Sequence, residues 1–172
     1  KKVADILDGK HIAPNVSFGV APGSREVILM LAEDGSLGKL VASGARILET
    51  ACGFCIGNHQ SPGTNEVSLR TSNRNFEGRS GTKSAQVYLV SPETAALSAL
   101  TGVFTDPLGD HGIEYPHVVN PEKFIVDDSM FIFPPEDGSA VEIIRGPNIG
   151  DPPANVPLSD SFDGYVTIKV GD

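Results

Sequence analysis

Two spacings of apolar residues alternate over residues 1–102. Short continuous runs stand at Val16-Ser17-Phe18-Gly19-Val20-Ala21, Ala45-Arg46-Ile47-Leu48-Glu49 and Gln86-Val87-Tyr88-Leu89-Val90. Runs of this length predict strands at 16–21, 45–49 and 86–90, the first of them buried and ending at the turn Pro22-Gly23, with a fourth at 67–71. Between them the spacing widens to that of a helix. Ser24 is placed to cap a helix over 24–34 that carries Val27, Ile28 and Leu31 on one face. Gly35-Ser36 breaks it. Leu37, Leu40 and Val41 predict a second helix over 37–43, closed by Gly44. Ser91-Pro92-Glu93 reads as a cap with proline at the first helical position. Ala95, Ala96, Leu97, Ala99 and Leu100 fill a helix over 92–101 that ends at Gly102. Strands alternating with helices predict an α/β domain of three layers, a mostly parallel sheet covered by helices.

Beyond residue 102 the pattern changes. Nine of the 13 prolines lie at 107–157 and helical periodicity is lost. Phe131-Ile132-Phe133 and Val141-Glu142-Ile143-Ile144 read as short strands in an extended segment wrapped on the first part. Prolines at 147, 152, 153 and 157 make residues 146–163 a stiff linker. Tyr165-Val166-Thr167-Ile168-Lys169-Val170-Gly171-Asp172 reads as one further strand. The chain opens without methionine, inside the helical pattern Lys1-Lys2-Val3-Ala4-Asp5-Ile6-Leu7, and closes in a strand pattern. We read it as a segment of a longer polypeptide.

Composition narrows the function. Thirteen basic residues against 22 acidic ones give a net charge of −9, which argues against nucleic acid as a main partner. Apolar runs of about 18 residues are absent, so no membrane-spanning helix is expected. Cys52 and Cys55 are the only cysteines, too few for the disulfide framework of a secreted domain.

Those two cysteines sit in Ala51-Cys52-Gly53-Phe54-Cys55-Ile56-Gly57. Three apart, they can turn both sulfurs to one side. Three readings are open on the bare motif: a redox pair, a metal site, or an inert turn. A redox pair wants a helix N-terminus, and Gly57 counts against one. Zinc wants two further ligands. His59 is near, but His11, His111 and His117 have no paired spacing. An iron–sulfur cluster wants more thiolates than two.

A second feature follows at Thr71-Ser72-Asn73-Arg74-Asn75-Phe76-Glu77-Gly78-Arg79. Over residues 67–85 the charged residues are Arg70, Arg74, Arg79 and Lys83 against Glu77, a net +3 within a chain of −9. A basic loop in an acidic protein suits capture of a small anion, since arginine pairs bidentately with a carboxylate. The competing reading is a surface loop whose arginines pair with nearby acids.

Taken together, the two features resemble the aconitase family. Cys52-Gly53-Phe54-Cys55-Ile56-Gly57 resembles that family's cluster-binding segment, which usually has proline where Phe54 stands. Ser72-Asn73-Arg74-Asn75-Phe76-Glu77-Gly78-Arg79 is similar to its substrate-arginine segment, and Val90-Ser91-Pro92-Glu93-Thr94-Ala95-Ala96 to the helix start that follows. Arg145-Gly146-Pro147-Asn148-Ile149 resembles the beginning of its interdomain linker, and residues 165–172 the first strand of its mobile C-terminal domain.

The resemblance implies an α/β domain over 1–145, a linker over 146–163 and the start of the mobile domain over 164–172. It implies a cytoplasmic hydro-lyase with a [4Fe-4S] cluster held on three cysteines, one iron staying open to act as a Lewis acid on the substrate hydroxyl. Cys52 and Cys55 would be two of the three ligands, Arg74 and Arg79 would clamp substrate carboxylates, and Asn73 would lie beside the cluster. The main expectation is the third domain of an aconitate hydratase, exchanging citrate and isocitrate through cis-aconitate. The alternatives are the large subunit of a 3-isopropylmalate or homoaconitate dehydratase and, for the isolated chain, an inactive folded module. The partners implied are a tricarboxylate or dicarboxylate hydroxy acid and the remaining domains of the parent chain. A third cluster cysteine is absent here, so the isolated chain is expected to hold the cluster incompletely or not at all. No nucleophile or general base is assigned to Ser72, Ser80 or any histidine. An RNA-binding role known in part of the family finds no support in a charge of −9.

Overall fold

The structure, a computed structural model, describes residues 1–109 and 116–171; the His111 and Asp172 of the sequence reading lie outside them. It divides into two units, Lys1–Met130 and Phe131–Asp172.

Among the described residues, the first unit carries all the regular elements. Helix α1 spans Lys2–Leu7, α2 Arg25–Glu33 and α3 Ser36–Ala42, and α5 is Pro92–Thr101. The caps are local chemistry. Ser24 Oγ accepts from the Val27 N–H at 3.2 Å, and Ser91 Oγ from the Thr94 N–H at 3.1 Å, ahead of Pro92 at the helix start. Gly102 ends α5 at φ +78°, in the left-handed region that favours glycine. The expected apolar face of α2 is only partly covered: no residue of that helix is fully buried.

All four strands pair in parallel, which establishes the α/β class with helices against parallel strands. Strand β1 (Gly19–Val20) lies beside β2 (Arg46–Ile47), and β3 (Val67–Arg70) beside β4 (Gln86–Leu89), with Gly19 opposite Arg46 and Leu69 opposite Tyr88. The strands form two separate pairs among the described residues, and β1 and β2 are shorter than their apolar runs. The ladder bonds show which edge is used. Arg46 N–H donates to Phe18 O (3.0 Å) and Leu48 N–H to Val20 O (2.9 Å). Gln86 N–H donates to Glu66 O (2.9 Å) and Val90 N–H to Arg70 O (2.8 Å). Because parallel strands alternate their bonding direction, the backbone groups of Gly19 and Leu69 turn away from their partners.

The core lies where α1 crosses α3 and α5. Ala4, Leu7, Leu40 and Ala45 are buried at its centre, with Ile12, Phe18, Val20, Ile47 and Leu100 packed around them. Lys2 reaches the buried Glu93 carboxylate at 3.1 Å and ties α1 to the start of α5. Downstream of α5, Thr105 N–H donates to Ser98 Oγ (3.0 Å), and Asp127 pairs with Arg25 on α2.

In the second unit, the described residues 131–171 form no helix or strand. This corrects the strands expected at 131–133, 141–144 and 165–172. A strand is completed by a ladder partner, and the backbone hydrogen bonds found here are local turns: Val141 N–H to Gly138 O and Ile149 N–H to Gly146 O. The apolar side chains stay exposed, Ile132 and Tyr165 at 99% each.

Candidate functional site

The cysteine motif follows the C-terminal end of β2, and the arginine loop follows that of β3. These are the strand ends at which open parallel sheets bind ligands. Cys52 stands at the N-cap position of a single helical turn, α4 (Gly53–Ile56), without a side-chain capping bond, and Gly57 closes the turn at φ +76°. The pair therefore stands at the start of a helix, one turn long. Gly57 stops that helix rather than preventing it, which corrects its reading as an obstacle. Gly53 leaves no room for a side chain, because the His59 ring packs where a Cβ would stand. Phe54, where the related segments usually have proline, lays its ring over Gly19 of β1. The substitution thus anchors the turn to the neighbouring strand.

Cys52 is exposed and Cys55 buried. Arg79, 24 residues further along, donates from Nη2 to Cys55 Sγ at 3.6 Å. Its guanidinium also lies 5.8 Å from the Phe76 ring centroid, within range for a cation–π contact. Arg79 Nε is buried without a hydrogen-bond partner among the described residues. The bond from Arg79, then that from Cys52, pulls the Cys55 thiol below its ordinary pKa. The bond with Cys55 pushes the Cys52 thiol up, against the opposing charges of Arg79 and Arg74. The two titrate as a pair, with the first thiolate favoured on Cys55.

Arg70 underlies this arrangement. Its Nη1 donates to Phe54 O (2.8 Å), Nη2 to Ser80 Oγ (2.7 Å) and Nε to Ser68 Oγ (3.0 Å). Burial pushes its guanidinium below the usual arginine range, with the Cys55 charge opposing. From the other side, Gln60 Nε2 donates to Ser17 O (2.7 Å), and Arg46 reaches His59 O and Gln60 Oε1 at 3.5 Å each.

The structure thus brings Cys52, Cys55 and Arg79 together, with Arg74 close enough for its charge to act on both thiols. Arg74 and Asn73 are exposed, whereas Arg79 is half-buried and already engaged. The loop is curved at Gly78 (φ +72°), where Arg79 N–H returns to Phe76 O at 3.0 Å. At the site an open cleft is lined by Cys52 and Cys55 and by residues on both strand pairs, among them Val20 and Leu69. Sequence reasoning missed Ser80 and Gln60, and counted Arg70 only as charge. Arg70 and Ser68 alternate onto one side of β3, which was the available signal; Ser80 had none.

As donors, two thiols on one turn, one of them favoured as thiolate, fit two corners of an iron–sulfur site. Among the described residues no group of three His, Cys, Asp or Glu side chains gathers to hold a metal. No helix among them is long and apolar enough to cross a membrane.

The sequence model described as "Aconitase family (aconitate hydratase)" matches residues 1–102. The chain belongs to the aconitase family. It is 48% identical over 105 residues to a 3-isopropylmalate dehydratase large subunit of Herpetosiphon aurantiacus, covering 60% of this chain and 25% of that protein. It is 45% identical over 109 residues to 3-isopropylmalate dehydratase large subunit 2 of Pyrococcus furiosus, covering 63% and 28%. It is 44% identical over 110 residues to the homoaconitase large subunit of Thermus thermophilus, covering 62% and 26%. The chain thus spans about a quarter of the length of these relatives. Their names favour the dehydratase large-subunit expectation over the aconitate hydratase one.

Proposed function

We propose that this chain is the part of a dehydratase large subunit that supplies two cluster thiolates and two carboxylate-binding arginines to a hydro-lyase. The observation that carries the proposal is the 3.6 Å approach of Arg79 to Cys55, which joins the thiol motif to the arginine loop. Cys52 and Cys55 would hold a [4Fe-4S] cluster with a third cysteine from elsewhere. When bound, the cluster supplies a Lewis acid to the substrate hydroxyl, easing departure of hydroxide. Arg74, exposed beside the thiols, receives a substrate carboxylate in its guanidinium fork. Arg79 has one nitrogen on Cys55, and its remaining donors orient a second carboxylate. Asn73 adds a neutral donor. The substrate class is a hydroxy acid with two or three carboxylates, and the large-subunit reading carries with it a small-subunit partner. The citrate–isocitrate reaction is the second reading, favoured by the resemblance of residues 145–149 and 165–172 to a linker and mobile-domain strand.

The test is a chimera. Residues 1–102 replace the matching stretch in the Pyrococcus furiosus large subunit, and the product is assayed with its small subunit on 2-isopropylmalate, homocitrate and citrate. Turnover of 2-isopropylmalate or homocitrate is the expected result. Turnover of citrate alone, or none with a full cluster, overturns the dehydratase reading.

A further inference from the structure

A helix of one turn has little cohesion of its own, since nucleation fixes several residues for one or two hydrogen bonds. The turn that carries Cys55 must be held by its surroundings. Arg70 is the side chain that reaches it from the sheet, bonding at once to β3 through Ser68, to the cysteine turn through Phe54 O and to the residue after Arg79 through Ser80. A fourth contact runs to Gln60 O at 3.5 Å. Three guanidinium nitrogens serve three separate chain segments, a task that the single ammonium nitrogen of lysine cannot perform. Phe54 O lies one residue before Cys55, and Ser80 one after Arg79. The bond pattern therefore sets both ends of the Cys55–Arg79 contact from one rigid plane.

We propose that Arg70 is a positioning residue that keeps Cys55 buried and in register with Arg79. Its meaning for catalysis rests on the hydro-lyase reading above; its effect on the thiols does not.

The test uses the 172-residue chain and the alkylation of each cysteine by iodoacetamide, resolved by mass spectrometry. Rates are followed over pH and compared at their limiting thiolate values, so that ionisation drops out. Arg70→Gln is expected to raise the limiting rate at Cys55 about 10-fold, the scale of losing a charge-assisted hydrogen bond that closes a local opening. Cys52, already exposed, should keep its rate. Arg70→Lys should fall between, because one bond can be restored but not three. Lys39→Gln, which breaks ion pairs with Asp5 and Asp8 away from the cysteine turn, should leave Cys55 unchanged. Unchanged Cys55 rates in both Arg70 variants overturn the proposal, as does an equal rise at both cysteines to the rate of the urea-unfolded chain. If Arg70→Gln does not fold, Ser80→Ala removes the 2.7 Å bond alone and decides in the same way. No metal or turnover enters the measurement, so failure of the hydro-lyase reading leaves its outcome unaltered.

Discussion

Gly57 and Ser80 meet so closely that a Cβ on Gly57 would stand 2.5 Å from Ser80 Oγ. The contact joins the end of the cysteine turn to the residue that follows Arg79. Gly57→Ala would add this clash to the strain of a side chain at φ +76°. We expect a loss of about 2 kcal/mol, near the upper end of the left-handed penalty, read as a lower midpoint in urea unfolding. Gly23→Ala, with open space around its Cβ position, serves as the reference and should shift the midpoint far less.

Arg79→Gln removes the hydrogen bond and positive charge that stabilise the Cys55 thiolate. The sign follows directly: a group that favours the ionised thiol is lost, so Cys55 must ionise at higher pH. The pH profile of its alkylation should move upward, and Cys52→Ala should move it the same way by removing the second bond to that sulfur. A profile unmoved in Arg79→Gln would show that the 3.6 Å contact is not made in solution.

Two thiolates leave at least two irons of a four-iron cluster without protein ligands. Anaerobic reconstitution of the 172-residue chain should therefore yield fewer than four irons and four sulfides per monomer. A full complement would mean that some other group completes the site.

In the full-length parent protein, under the function proposed above, Arg74→Lys and Arg79→Lys keep the charge and lose the fork. Each should lower turnover by roughly 10-fold or more, taking about 1.5–3 kcal/mol for a charge-assisted hydrogen bond. Iron and sulfide content should stay at the wild-type level in Arg74→Lys, whose side chain is exposed. Undiminished turnover in both would remove the arginines from substrate binding.

How far the sequence could be read depended on the range of the forces at each position. Ser24, Ser91-Pro92 and Gly102 punctuate helices through bonds to residues within a few positions, so their patterns could be read directly. The four parallel strands were legible as runs, but their lengths were not. Beside β1, Gln60 engages Ser17 O from 43 residues away. The apolar alternation of 141–144 and 165–170 resembled strands because side-chain pattern records a preference, whereas a strand is completed by a partner's backbone. At the site, Cys52, Cys55 and Arg79 stood out by type and spacing. Arg70 did not, since its role exists only once Phe54 O and Ser80 Oγ arrive beside it. Phe54 was noticed as a departure from proline, and only the fold shows that its ring rests on Gly19.

The outward-turned backbone at Gly19 and Leu69 has a consequence for the handling of this protein. Backbone groups turned away from a strand's partner can be adhesive toward other copies, and what opposes such meeting is mutual repulsion from a charge of −9. That repulsion fades as the medium approaches pH 4.8, where the net charge vanishes, and is shortened by salt. Clear solutions of the isolated chain thus belong to neutral pH and low ionic strength, and turbidity should begin on the acidic side.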